Sequence, residues 1–147
     1  MIVISEYDPK WPVLFEEEAQ RLRTAFGSVA SLVPHGRYVD TMATLGYRHV
    51  ALGDFDLVYP FFHRPAEFPG THHVHLCDAG GEQEWKHLAF RNYLRAHPHV
   101  AREYEALKHE LARAHDGVTL QSGQAYSLSK SEFVANVLRA AVASGHA

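Results

Sequence analysis

The stretch T-H-H-V-H-L at residues 71–76, followed after a short acidic and glycine-rich link by E-W-K-H-L-A-F-R-N-Y-L-R-A-H-P at 84–98, decides how this chain is read. Its first part alternates as a β-strand does, with His73 and His75 on one face and His72, Val74 and Leu76 on the other. The apolar pair assigns the second face to the core. Asp78 to Gly81 breaks the chain, and Trp85, Leu88, Ala89, Tyr93 and Leu94 then recur at helical spacing. A strand handed directly to an amphipathic helix points to an α+β domain.

Toward the amino terminus, Phe55 to Arg64 reads as a longer strand interrupted by Pro60, and Tyr47 to Leu52 as the strand before it, with Gly53-Asp54 as the turn. Ile2 to Ile4 is a short β-branched run that also suits a strand. Between them lie two helices: one opening near Pro12, with Phe15, Ala19, Leu22 and Phe26 in its apolar stripe and Glu17 pairing with Arg21 outside, and one carrying Tyr38, Val39, Met42 and Leu45. Gly27 and Gly46 end them. Toward the carboxyl terminus, Pro98 opens a helix with Val100, Tyr104, Leu107 and Leu111. A polar loop, 118–124, leads to a last helix with Phe133, Val134, Val137, Leu138 and Ala141, for which Ser129 and Glu132 are spaced as a capping box, with a start near Tyr126 as the equal alternative. The expectation is one domain, 1–147: a small, mostly antiparallel or mixed sheet packed with about five helices.

Composition narrows the function classes. At 147 residues, 46% hydrophobic and 21% charged, the chain has enough apolar material for one core. A formal charge of -3 argues against nucleic acid as the main partner. No apolar run approaches the roughly 18 to 20 residues of a spanning helix, and the first residues lack the basic and apolar segments of a signal peptide. With Cys77 as the only cysteine, these features fit a cytoplasmic protein without membrane contact.

Twelve histidines make the chain histidine-rich. His35, His97, His99, His109, His115 and His146 read as solvated residues of helix faces and loops. His73 and His75 are different. Two imidazoles at i and i+2 on a rigid strand can move protons as catalytic groups or hold one divalent metal, if a further ligand comes from elsewhere. His63 is the leading third ligand, with His49, Asp56 and Glu84 also within reach of the topology. On the helix that follows, His87, Arg91 and Arg95 fall at i, i+4 and i+8 and form one stripe suited to a small anionic molecule such as a phosphorylated metabolite. Ion pairing of the same arginines with Glu82, Glu84 or Glu103 is the competing explanation. Trp85, Phe90 and Tyr104 read as core.

Further pieces carry a family resemblance: Y-D-P-K-W-P-V-L-F-E-E-E at 7–18, L-G-Y at 45–47, F-F at 61–62, E-Y-E-A-L-K at 103–108 and Y-S-L-S-K-S-E-F at 126–133, together with the two stretches quoted first. In that order they resemble the GrpB-like family of bacterial proteins, usually placed in the nucleotidyltransferase superfamily. The resemblance implies a shortened nucleotidyltransferase-like fold, because one family block is missing. Members usually carry E-H-I-G-S-T-x-V-P-G-L-x-x-K-P-I-I-D-I after the first helix, whereas here A-F-G at 25–27 runs straight into S-V-A-S-L-V-P at 28–34. That block would supply two core strands, a phosphate-approaching Gly-Ser turn and a Mg²⁺-binding carboxylate. Gly27-Ser28 with Asp54 and Asp56 imitates it only by spacing, and Asn92 stands where the family usually has Asp.

Three readings follow. One is a small-molecule site for an anionic or phosphorylated ligand built on His73, His75, His87, Arg91 and Arg95, outside standard nucleotidyl transfer. Another is a metal-dependent enzyme with His73, His75 and His63 as ligands of a divalent cofactor. The third is a non-catalytic accessory or interaction domain. Loss of strands from a sheet would leave an open edge, for which pairing into a homodimer is one remedy.

Overall fold

The computed structural model describes residues 8–26, 35–57, 59–67, 70–115 and 119–145. Contacts divide the chain into two compact units, one within Ser5–Leu76 and the other built on Cys77–Ala147. The fold class is α+β, as the sequence suggests, with six α-helices and a three-stranded sheet among the described residues.

In the first unit, α1 (Trp11–Phe26) starts where the Asp8 carboxylate accepts the Lys10 amide at 2.8 Å and the Asp8 carbonyl accepts that of Trp11. Pro12 sits in the first turn, where a missing N–H costs nothing. α2 (His35–Thr44) is closed by Gly46 at φ 82°, a left-handed conformation that glycine adopts without strain. The sheet has the order β1 (Arg48–Val50), β2 (Phe61–Arg64), β3 (His72–His75) and is antiparallel throughout. Met42, Tyr47 and Phe62 are its buried centre, with Leu22, Phe26, Tyr38, Leu45, Val74 and Leu76 packed around them. Fully burying such side chains contributes roughly 1.5–3 kcal/mol each.

The expected strands are shortened. Residues 53–57 form a 3-10 helix instead of the start of a strand, because Asp56 Oδ2 accepts the Leu52 amide at 2.9 Å and folds the chain back. β2 therefore begins only after Pro60, which has no N–H to give a ladder. Glu17 is not the partner of Arg21: the guanidinium reaches Glu18, one residue further on, at 2.8 Å. Phe15, expected in the apolar stripe, is 72% exposed. The strand expected at 2–4 and the Gly27-Ser28 pair lie outside the described residues.

The second unit contains α3 (Glu82–Ala96), α4 (Pro98–Ala114), α5 (Leu120–Leu128) and α6 (Ser131–Ala143). α3 packs on α6 and α4, with Ala89, Val137 and Ala141 buried. The chain turns from α3 to α4 at His97, followed by Pro98 in the first turn of α4. Two expectations are corrected in this unit. The polar run after 118 is helical from Leu120, since the Thr119 hydroxyl caps it by accepting the Ser122 amide at 3.1 Å. The Ser129–Glu132 capping box does not form, because the Ser129 hydroxyl donates back to the Ala125 carbonyl at 2.9 Å. Cys77, where the 77–147 segment of this unit begins, is exposed. Among the described residues no helix is long and apolar enough to cross a membrane.

Candidate functional site

The antiparallel register sorts the sheet's side chains. Arg48, His63 and His73 are direct neighbours across the three strands, as are Val50, Phe61 and His75. Directly opposed residues share a face, so His63, His73 and His75 lie on one side of the sheet around Phe61. The His75 ring stacks on Phe61 at 4.6 Å and on Tyr59 at 4.2 Å, and His73 meets Phe61 edge-on at 5.4 Å. His63 is 3% exposed, whereas His73 and His75 are open to solvent. Burial, and then the neighbouring His63, push the His73 pKa below that of an ordinary histidine. At neutral pH His73 is therefore an uncharged imidazole that can accept a proton. Among the described residues no three His, Cys, Asp or Glu side chains are grouped as metal ligands.

The opposite face holds a polar network that the sequence pattern does not reveal. Glu18 of α1 accepts hydrogen bonds from the Tyr47 hydroxyl at 2.7 Å and from Arg64 at 3.0 Å, besides its pairing with Arg21. Arg64 also touches His72 Nε2 at 3.1 Å, and His72 Nδ1 meets the Thr71 hydroxyl at 2.9 Å. Burial alone would raise the Glu18 carboxyl. Hydrogen bonds from Tyr47 and Arg21, with the charge of Arg21, outweigh it and hold the group below its usual range. The Tyr47 phenol moves the other way, raised by burial and by donating to Glu18. His72 is thus engaged in holding α1 to the sheet.

The other candidates belong to the second unit. His87, Arg91 and Arg95 are all exposed along α3. Arg91 donates to the neutral Asn92 Oδ1 at 2.9 and 3.2 Å. Of the acids expected to compete for the arginines, Glu82 pairs with Lys86 at 2.6 Å and Glu84 accepts the Gly80 amide, while Glu103 is exposed on α4. Among the described residues neither arginine has a carboxylate partner. Phe90 and Tyr104 pack edge to face at 5.2 Å, as core residues do, whereas Trp85 is 38% exposed because it stands near the open start of α3. Asp54 and Asp56 lie on the 3-10 helix, where i and i+2 do not share a face. Asp56 there accepts the Leu52 amide and stands 3.6 Å from His49 Nε2.

Of the histidines read as solvated, His99 and His109 are exposed. His97 is half-buried, stacked on Tyr93 at 3.9 Å, because the α3–α4 corner folds it back. His115 is likewise half-buried, edge-on to Tyr126. The His35 side chain and His146 lie outside the described residues.

A model of the GrpB protein family matches residues 28–140. The chain belongs to the GrpB family. This GrpB-family chain is 29% identical over 136 residues to the protein YqkA of Bacillus subtilis, covering 74% of itself and 39% of that protein. It is 30% identical to a UPF0157 protein of Pseudomonas aeruginosa, covering 92% of itself and 66% of the relative. Against a UPF0157 protein of Halalkalibacterium halodurans the figures are 28%, 95% and 82%. The first two relatives are thus longer, and the chain spans less than two thirds of each. The last two comparisons run over 168 positions, more than the 147 residues present, so they include positions this chain does not have. The family match begins at Ser28, the point where the missing block would have ended. Among solved structures, the crystal structure of conserved protein GrpB from Enterococcus faecalis matches with a TM-score of 0.72 at 27% identity, covering 97% of this chain and 98% of that one.

Proposed function

We propose that this GrpB-family protein binds a small anionic, phosphorylated molecule through His87, Arg91 and Arg95 on α3, and, as a separate reading of the first unit, that His73 and His75 on β3 serve as acid–base groups. The observation that carries the reading is the lack of any carboxylate partner for Arg91 and Arg95 among the described residues, although Glu82 and Glu84 stand on the same helix. An exposed guanidinium fork without a carboxylate partner is suited to bidentate contact with phosphate or carboxylate. His73, held uncharged by its surroundings, is suited to take a proton. The two sets belong to different units and are tested separately. Standard nucleotidyl transfer is left out of the proposal, since the block that would bring the Gly-Ser turn and the metal-binding carboxylate is missing. The setting proposed is cytoplasmic, with pairing of two copies through an open edge of the sheet, β1 or β3.

A metal-dependent reaction on β3 is the second reading, favoured by the cross-strand pairing of His63 with His73 on the face that also carries His75. One experiment separates the readings: thermal unfolding of the purified protein with divalent metals, nucleotides and phosphorylated metabolites, repeated with Arg91→Ala/Arg95→Ala and with His73→Ala. A ligand at a hundred times its Kd stabilises by about 2.7 kcal/mol. Stabilisation by phosphorylated compounds that is reduced in the double arginine variant is the expected result. Stabilisation by one metal, lost in His73→Ala, would replace it with the metal reading. Silence in every arm would leave the accessory-domain role.

A further inference from the structure

Two family-like pieces, E-Y-E-A-L-K and Y-S-L-S-K-S-E-F, have no part in the proposal above, and they share a spacing: Tyr104 and Lys108, Tyr126 and Lys130. Four residues bring a lysine over the ring one helical turn back. Lys108 Nζ lies 5.3 Å from the centroid of Tyr104, and Lys130 Nζ 4.0 Å from that of Tyr126. The Tyr104 ring is fixed between Phe133, stacked at 5.3 Å, and the edge of Phe90. Both lysines are partly buried. Burial, with the charge of Lys108 next, draws the Lys130 ammonium below its usual range.

Nothing among the described residues balances them. Glu105 and Glu110 on α4 and Glu132 on α6 are exposed, and no carboxylate lies at ion-pair distance from either lysine. Lys130 also occupies the N-cap of α6, a helix of 13 residues whose first amides receive no side-chain cap. A cation at the positive end of a helix dipole is the reverse of the favourable arrangement. The residue that could have capped it, Ser129, is turned back to Ala125, with His115 Nε2 3.4 Å from its hydroxyl. Two ammonium groups without a carboxylate partner, uncapped helix amides and a neighbouring imidazole all favour an anion.

We infer that the junction of α4, α5 and α6 is an anion site built on Lys108 and Lys130, and that its ligand is a phosphate group, either inorganic phosphate or the monoester of a small metabolite. A phosphate bearing about −1.5 to −2 charges would offset both lysines and accept from the first amides of α6. The tyrosine rings hold the lysine stems in place and give the ligand's organic part an aromatic wall.

The test is calorimetric titration of the full chain with inorganic phosphate and, separately, glycerol phosphate. It is repeated with Lys108→Met, Lys130→Met, Lys108→Arg and, as a control, Arg91→Ala/Arg95→Ala. Saturable binding is expected, weakened at least tenfold by either methionine and retained by Lys108→Arg, and a lysine-dependent component of it remains in the arginine variant. Tighter binding of the ester identifies a metabolite as the source; equal binding identifies phosphate itself. Should Lys130→Met fail to fold, the Lys130 titration followed by carbon NMR in the unmutated protein decides, because bound phosphate must raise its midpoint. No saturable binding, a Lys130 midpoint that phosphate leaves in place, or loss of binding only in the arginine control would overturn the inference. The last of these would still support the α3 reading.

Discussion

Glu18 shows what a single side chain decides in this fold. It lies on the inner face of α1, yet three partners from Arg21, Tyr47 and Arg64 keep it ionised. Its pKa is lowered on folding, so it adds stability above the unfolded carboxyl value of about 4.3, and that stability is lost as pH falls through the lowered value. Tyr47 is raised, so its contribution is complete below about 10 and is lost as pH climbs past that. His73, lowered on folding, contributes above about 6.5 and loses its share as pH falls. Urea unfolding across pH should therefore give a plateau that drops on both sides, with the acid side starting near pH 6. Glu18→Gln should cost about 1–3 kcal/mol at pH 7 by leaving the Arg64 and Tyr47 donors poorly matched. A variant as stable as the parent would mean the network is incidental. The sequence could not reveal this, because helical spacing placed Arg21 opposite Glu17, while the partner that matters is set by which face of α1 meets the sheet.

Among the elements, period and punctuation were legible where they were strong. α3 and α4, separated by Pro98, and the alternation of β3 were readable from their apolar positions. Residues 53–57 were not: Phe55 and Leu57 look like strand residues, and only the Asp56 contact with the Leu52 amide turns them into a 3-10 helix. α5 was hidden by Gln121, Ser122, Gly123 and Gln124, a run with no apolar stripe, although Thr119 and Ser122 carry a helix start. The β2–β3 connection supplies a test at this scale. A Cβ placed on Gly70 would stand 2.9 Å from His63 Cβ and 3.0 Å from its Nδ1. Both are anchored close to the β2 backbone and cannot simply swing away. Gly70→Ala should therefore cost about 1–3 kcal/mol by overpacking, read as a lower urea midpoint with unchanged slope. No shift would show that the connection yields freely.

For the molecule as a whole, the family and the α+β class were readable from the order of short motifs, and the candidate site residues only in part. The spacing of His73 with His75, and of Arg91 with Arg95, was visible in the sequence. Their assignment to different units was not, since the boundary at Leu76–Cys77 falls inside what reads as one continuous family stretch. The Lys108 and Lys130 pair was missed because lysines on helices ordinarily read as solvated surface, and only tertiary packing brings α4 to the α5–α6 break. α1 departs from its apolar pattern at its start. Trp11, Leu14 and Phe15 share the stripe of Leu22 and Phe26 but remain 43%, 52% and 72% exposed.

Cys77, the only thiol of the chain, stands where the 77–147 segment begins and is exposed. Burial of the sulfur, and then the charges of Glu84 and Asp78, raise its pKa above that of an ordinary cysteine. Since the thiolate is the reactive form, alkylation by iodoacetamide should be slow at neutral pH and keep accelerating past the point where a free cysteine levels off. Glu84→Gln should speed it at pH 7, and a rate profile identical to that of free cysteine would refute the assignment. One fluorescent label attached there under mildly alkaline conditions would sit at the seam of the chain without any engineered substitution, giving an optical gauge of whether metal or phosphate alters the environment at that seam.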